Sequence, residues 1–131
     1  MAKLPIEVKE MLQQQLPLIA TASKDGTPNV GPKGSMYVAD DETLAYSEGT
    51  GRTTLNNLKE NKKVSVIVVD REKMDGYQVK GTAELLTSGD IYDVLAERNK
   101  ARNRPPAEYV VKINVEGVYA LKPGAPTYKI A

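Results

Sequence analysis

The chain has 131 residues with 18 basic and 17 acidic side chains, so it suits one small domain and carries no net field that would attract nucleic acid or an acidic membrane. It contains no Cys and no His, which excludes disulfides, thiol nucleophiles, Ser–His triads, ordinary zinc sites and haem ligation by His. Any redox or transfer chemistry is therefore expected to use a borrowed cofactor, without a bound metal.

The first predicted element is a short amphipathic helix within residues 1–16. Leu4, Val8 and Leu12 share one helical face, and Pro17 ends the pattern. No N-terminal apolar segment and no long apolar run is present, so we expect a cytoplasmic protein that does not enter a membrane.

The next predicted elements are strands. An extended run from Leu18 is followed by the turn Asp25-Gly26-Thr27-Pro28 and by a second run over 29–40, which predicts a hairpin. Pro32 and Gly34 interrupt the second run, because Pro lacks the ladder donor and Gly permits close approach. A third strand, 43–48, is expected beside the 29–40 strand in a meander.

The remaining elements alternate between short helices and strands. They are a Gly-rich turn over 49–54, a helix over 55–63, strands over 64–70 and 77–87, a helix over 91–102, strands over 109–115 and 117–123, and a polar tail over 124–131. The total is six or seven strands, mostly joined as hairpins, with three short helices. This order predicts a mainly β single domain over 1–131, built as a small antiparallel barrel.

The turn Gly49-Thr50-Gly51-Arg52-Thr53-Thr54 is a candidate anion site. Free backbone N–H groups and the dipole at a helix start favour an anion, and Arg52 with two hydroxyls adds hydrogen bonds suited to a phosphate. No Walker or GxGxxG pattern is present. The alternative is a flexible turn in which Thr53 only caps the helix.

The strand around Lys33 is a second candidate, because it carries a base, the hydroxyl of Ser35 and two strand-breaking residues. It is expected to be either a ligand-facing strand or an edge strand that Pro32 and Lys33 protect from aggregation. Together with the Gly-rich turn, its polar face could converge on one flat, anionic ligand.

Four sequence features in order resemble the flavin-binding split-barrel family related to pyridoxamine 5′-phosphate oxidase. They are a DG-x-P-x-V-x-P strand, a polar turn into N-x-L-x-x-N, an apolar V-x-V strand and G-x-A-E, and the likeness covers roughly residues 5 to 122. The resemblance implies a six-stranded antiparallel split β-barrel of Greek-key-like topology, a homodimer, and two FMN sites at the subunit interface.

The resemblance also implies the cofactor site. The phosphate falls at the helix start, where the family often shows Ser-Arg-Lys. Two alignments with this pattern are possible. If the alignment is anchored on Asn57-Leu58, Arg52 takes the place of the family's Ser. If Arg52 is aligned with the family's Arg, Thr53 takes the place of its Lys. One base is lost in this chain, and Lys33 or Ser35 is expected to replace it. The implied cofactor-binding residues are Val30, Gly31, Pro32, Lys33, Gly34, Ser35, Tyr46, Ser47, Glu48, Gly51, Arg52, Thr53, Thr54 and, from the partner subunit, the residue matching Gln78.

The implied function is electron transfer or reduction of a small molecule by an FMN flavoprotein, with NAD(P)H or a small-molecule acceptor as partner. The sequence ends at Ala131 without the Arg- and His-containing segment that grips substrate phosphate in true pyridoxamine 5′-phosphate oxidases, so we do not expect that reaction. No catalytic residue stands out. Tyr37, Tyr46 and Tyr77 could donate protons, or could fill aromatic core positions.

Two alternatives concern the ligand. The same barrel could hold another flat cofactor such as a deazaflavin. A barrel with Lys-rich loops could instead be an oligonucleotide-binding module, although the near-zero net charge argues against nucleic acid. The basic residues concerned are Lys59, Lys62, Lys63, Lys100, Arg102 and Arg104.

Overall fold

The computed structural model describes residues 2–49 and 52–131, which form three helices and eight strands. In chain order these are α1 (Ile6–Gln14), β1 (Leu18–Ala22), β2 (Pro28–Pro32), β3 (Tyr37–Asp40), β4 (Thr43–Glu48), α2 (Thr53–Glu60), β5 (Lys63–Asp70), β6 (Asp75–Leu86), α3 (Asp90–Ala101), β7 (Tyr109–Ala120) and β8 (Tyr128–Lys129). No helix within these residues is long and apolar enough to cross a membrane.

All strands join one antiparallel sheet in the order β2-β1-β5-β6-β7-β4-β3, and the short β8 pairs with β7. The predicted fold class, a mainly β antiparallel architecture with short helices, is confirmed. The described residues form eight strands rather than the six or seven predicted. The 29–40 run is divided and the tail over 124–131 contributes β8, whereas the two strands predicted over 109–123 are one.

The 29–40 run was expected to be one strand beside 43–48, and this expectation is wrong. Pro32 ends β2, and a turn over 33–36 follows in which the Met36 N–H donates to the Lys33 carbonyl over 3.2 Å. Only β3 pairs with β4, while β2 pairs with β1 at the opposite edge. Because residues 33–36 alone join these two edges, the sheet must curl until the edges lie close together.

The inner face of the curled sheet forms the main core. Alternation along β5 and β1 buries Val64, Val66, Val68 and Ile19, and α1 adds Val8 and Leu12 from one side. A second, smaller cluster lies on the opposite side of the sheet at β4 and β7, where α3 packs Leu95 against Ala45 and Val110. The candidate site lies near the ends of β2 and β4, beside the turn over 33–36 that joins the two edges of the sheet.

The strands predicted over 109–115 and 117–123 form one strand, β7. Its pairing with β6 shifts by one residue between Lys80 and Gly81, so Glu116 is absorbed as a bulge instead of ending the strand. Gly81 permits this close approach, since an added Cβ would lie 2.3 Å from the Asn114 carbonyl oxygen.

Candidate functional site

The start of α2 is suited to an anion. Arg52 is the N-cap residue and makes no side-chain capping hydrogen bond, the first turn contains no acidic residue, and both Arg52 and Thr53 are exposed. The alternative in which Thr53 only caps the helix is therefore wrong. The first backbone N–H groups of α2 and the positive end of its dipole receive no side-chain cap from the described residues.

Hydrogen bonds fix the start of α2 beside β1 and β2. The Asn29 Nδ2 donates to the Thr54 Oγ1 over 3.1 Å, and the Asn57 Nδ2 donates to the Thr21 Oγ1 over 3.1 Å. Asn57 and Thr21 are both buried, and so is Thr54. Thr54 thus serves the attachment of the helix, which leaves Arg52 and Thr53 as the accessible predicted phosphate contacts. Gly51, also predicted there, lies outside the described residues.

A buried ion pair joins the ends of β2 and β4. The Lys33 Nζ lies 2.8 Å from the Glu48 Oε2 and 3.4 Å from the Glu48 Oε1, and the two side chains are 9% and 0% exposed. The same ammonium lies 5.1 Å from the centre of the Tyr46 ring, within cation–π range. Lys33 is therefore committed to Glu48 and is not a free base beside Arg52.

The Tyr46 hydroxyl is fully buried and has no hydrogen-bond partner among the described residues. Burial raises the pKa of this hydroxyl well above its usual value, and the nearby Glu48 carboxylate raises the pKa further. Tyr46 is consequently a neutral core aromatic. Tyr37 and Tyr77, the other two tyrosines considered as proton donors, are half-buried.

Two serines join the turn over 33–36 to β4. The Ser47 N–H donates to the Ser35 Oγ over 3.0 Å, and the Ser35 hydroxyl lies 3.4 Å from the Ser47 carbonyl oxygen. The Asn99 Nδ2 then donates to the Ser47 Oγ over 3.4 Å, which brings the last turn of α3 to the same place.

An open cleft of about 770 Å³ lies over these contacts. Its walls come from the end of β2, the end of β4, the first turn of α2 and the segment between α3 and β7. The lining residues are Pro32, Lys33, Gly34, Ser35, Ser47, Glu48, Gly49, Leu55, Asn99, Arg102, Arg104, Pro105, Pro106, Ala107 and Glu108. That residues 99–108 line the cleft was not predicted from the sequence. Pro105-Pro106 was the one local signal there, since two prolines make a rigid connection.

The predicted cofactor residues within the described part of the chain fall in four places. Six line the cleft: Pro32, Lys33, Gly34, Ser35, Ser47 and Glu48. Arg52, Thr53 and Thr54 lie at the start of α2, and Tyr46 lies beneath the ion pair in the core. Val30, Gly31 and Gln78 lie on strands β2 and β6.

Val30 and Gln78 share the outer face of the sheet. Val30 pairs with Ala20, Ala20 with Ser65, and the Gln78 Nε2 donates to the Ser65 Oγ over 2.8 Å. Directly paired residues point to the same face, so an apolar outer surface runs across β2, β1 and β5. We call it the outer face; its apolar members are Leu18, Ala20, Val30, Ile67 and Val69.

No group of three or more Asp or Glu side chains that could hold a metal is found among residues 2–49 and 52–131. The basic residues considered for nucleic acid are partly used within the fold, because Lys63 pairs with Glu116 at 3.5 Å and the Lys62 Nζ donates to the Leu58 carbonyl over 2.7 Å.

The described residues thus combine a curled antiparallel sheet, an uncapped helix start and an open cleft beside it. Residues 4–122 match the family model described as pyridoxamine 5′-phosphate oxidase. The chain therefore belongs to the pyridoxamine 5′-phosphate oxidase family, which the sequence resemblance had predicted.

Three relatives share more than a third of their sequence with this chain. The uncharacterised protein MJ0282 of Methanocaldococcus jannaschii is 35% identical over 98% of this chain and 87% of its own length. The crystal structure of HupZ from Group A Streptococcus is 37% identical, covers 93% of this chain and 97% of its own, and has a TM-score of 0.85. A structure from Lactobacillus delbrueckii, provisionally described as a pyridoxamine 5′-phosphate oxidase, is 34% identical. It covers 88% of this chain and 93% of its own, with a TM-score of 0.76.

More distant structures share the fold alone. An FMN-binding protein from Syntrophomonas wolfei is 17% identical with a TM-score of 0.75, and an F420 reductase is 23% identical with a TM-score of 0.67. They cover 88% of this chain each.

Proposed function

We propose that the protein is an FMN-binding flavoprotein that acts in electron transfer or in the reduction of a small molecule. The observation that carries the proposal is the uncapped start of α2, with Arg52 and Thr53 exposed, held by Asn29 beside strand β2. An anion site next to a strand that exposes an apolar side chain, Val30, suits a phosphate joined to a flat ring. Membership of the family supports the same assignment.

The residues present fit this cofactor. Arg52, Thr53 and the first backbone N–H groups of α2 would hold the phosphate, and the segments 30–35 and 46–48 would border the ring. Bound FMN supplies hydride and electron transfer, which the side chains of a chain without Cys or His do not. The protein's own task is to bind, orient and shield the cofactor. Lys33 is engaged with Glu48, so Arg52 carries the phosphate charge alone.

The outer face supports a homodimer. Val30 and Val69 on this face are 61% and 50% exposed, and Ile67 lies between them. Pairing of this face about a two-fold axis would bury apolar surface and bring Gln78 of one subunit toward β2 of the other. The cofactor site would then be shared between subunits.

The cleft would admit the second reactant. Its volume of about 770 Å³ is sufficient for a small organic molecule, and it borders the segments 30–35 and 46–48 where the ring is proposed. We propose that a small-molecule acceptor binds in this cleft. NAD(P)H remains a candidate electron donor, but no site within the cleft is proposed for it. A deazaflavin is the second candidate cofactor, since the F420 reductase shares the fold.

The first test is Arg52→Ala, with FMN and riboflavin titrated separately by flavin fluorescence or calorimetry. Loss of a charge-assisted hydrogen bond is expected to cost about 1.5–3 kcal/mol, or roughly a ten- to a hundred-fold weaker Kd for FMN. Riboflavin has no phosphate, so its Kd is expected to stay nearly constant. Lys59→Ala, an exposed base in the last turn of the same helix, is the matched control and is expected to change neither Kd.

Two outcomes would contradict the proposal in different ways. Equal losses for FMN and riboflavin would make Arg52 a structural residue and remove the phosphate site from α2. Failure of the native protein to bind FMN at micromolar concentration would remove the FMN assignment, and tight binding of a deazaflavin in that case would select the second candidate.

A further inference from the structure

Lys33 is the only buried cation among the described residues that line the cleft, and Glu48 is the only buried anion there. A buried charge acts more strongly on a ligand than an exposed one, because less water screens it. The net charge of the inner cleft therefore depends on how these two side chains are arranged.

Their arrangement cancels both charges. The Lys33 ammonium makes its side-chain hydrogen bonds to the two oxygens of Glu48, at 2.8 Å and 3.4 Å, and it also lies over the Tyr46 ring, 5.1 Å from the ring centre. A cation satisfied in this way has little attraction left for a second anion. The inner cleft is accordingly neutral, although it contains a lysine.

The other charges of the cleft lie at its rim. Arg102, Arg104 and Glu108 are all exposed and belong to the segment after α3. Exposed charges of mixed sign contribute little to affinity, since water and salt screen them. They do not replace the neutralised lysine inside the cleft.

We propose that Glu48 determines the substrate class of the cleft: by neutralising Lys33 it selects uncharged small molecules and disfavours phosphorylated or otherwise anionic ones. The inference rests on the proposed function for the identity of the site as a substrate site. The selection by charge rests on the Lys33–Glu48 pair alone. Glu48 acts through Lys33 and is a specificity-determining residue, not a catalytic one.

The test is a titration of inorganic phosphate into the full chain, before and after saturation with FMN, followed by amide chemical shifts. Shifts at Ser35, Ser47 and Asn99 report binding in the cleft, whereas shifts at Thr53 and Thr54 report binding at the start of α2. Glu48→Gln removes the carboxylate charge and leaves the Lys33 ammonium uncompensated. Phosphate is expected to bind the cleft of this variant at least ten-fold more tightly than the native cleft. If Glu48 had only a structural role, its replacement would not increase the affinity of the cleft for phosphate.

Two control variants make the result specific. Glu48→Asp keeps the carboxylate and is expected to keep the weak native affinity for phosphate in the cleft. The double variant Lys33→Met, Glu48→Leu removes both charges, and such apolar replacement of a buried pair generally preserves folding. It is also expected to bind phosphate as weakly as the native protein, because the native lysine is already neutralised.

Several results would overturn the inference. One is an unchanged phosphate affinity at the cleft amides of Glu48→Gln, which would mean that the native cleft already binds phosphate as tightly as the variant does. If Glu48→Gln does not fold, the double variant decides alone: a clear loss of phosphate binding relative to the native cleft would show that Lys33 was available to anions. Failure to bind FMN, or the absence of phosphate-induced shifts at the Thr53 and Thr54 amides, would count against the proposed function. The shifts at the cleft amides could still be interpreted in either case.

Discussion

At the scale of single residues, sequence reasoning singled out several residues that line the cleft but not the pairing between them. Lys33 and Ser35 were singled out because a base and a hydroxyl are unusual in an interrupted strand, and the cleft contains both. The partnership of Lys33 with Glu48 could not be foreseen, since it depends on which sheet edges meet. Alternation along β4 places Glu48 on the same face as Tyr46, but a sequence pattern does not reveal what lies opposite.

Tyr46→Phe tests whether the buried hydroxyl contributes to the fold. An unsatisfied buried hydroxyl costs about 1–3 kcal/mol, so its removal is expected to raise the free energy of unfolding by about 1 kcal/mol in urea denaturation. The matched control is Tyr92→Phe, because the Tyr92 hydroxyl donates to the Ala107 carbonyl over 2.7 Å. That change is expected to lower stability by about 0.5–1.5 kcal/mol. A loss for Tyr46→Phe comparable to the control would show that its hydroxyl has a partner.

At the scale of elements, periodicity predicted helices and strands well where local patterns dominate. β4 was predicted with its observed bounds, and the helix after the Gly-rich turn begins at Thr53, within that turn. The errors occur where tertiary pairing overrides a local signal. Glu116 looked like a break between strands, yet pairing with β6 carries β7 through it, and the 29–40 run divides because its two halves pair with different strands.

Gly81→Ala tests the close approach at this bulge. The new Cβ would lie 2.3 Å from the Asn114 carbonyl oxygen and 3.0 Å from the Ile113 Cγ2, so backbone must move and stability is expected to fall by about 1–3 kcal/mol. Gly31→Ala, in edge strand β2, is the control, because its Cβ would meet nothing within 4 Å. Its effect is expected to stay within about 0.5 kcal/mol in the same denaturation experiment. Equal stabilities of the two variants would contradict the strict need for Gly81.

At the scale of the whole molecule, composition and strand count predicted an antiparallel barrel, but not the strand order. The order β2-β1-β5-β6-β7-β4-β3 places consecutive strands β2 and β3 at opposite edges, which a meander would never do. Hairpin signals specify only neighbouring pairs, so the long-range pairing of β1 with β5 and of β4 with β7 lay beyond them.

The homodimer is tested by light scattering, where twice the chain mass of 14.3 kDa is expected. Val69→Glu places a charge on the outer face and is expected to shift the protein to a monomer and to weaken FMN binding with it. Val94→Glu is the control, because Val94 is also exposed, at 37%, but lies on α3. A native monomer that binds FMN tightly would contradict a site shared between subunits.

The turn over 33–36 connects the two edges of the sheet and also forms one wall of the cleft. A molecule in the cleft therefore touches both ends of a single sheet at once and binds only while those ends are together. By thermodynamic linkage, occupancy adds RT ln(1 + [L]/Kd) to the stability of the closed arrangement relative to one in which β2 has frayed from its neighbour. A ligand of the cleft would thus hold the two edges of the sheet together. A variant that binds the ligand more tightly would also protect its edge strands better against local unfolding when the ligand is present.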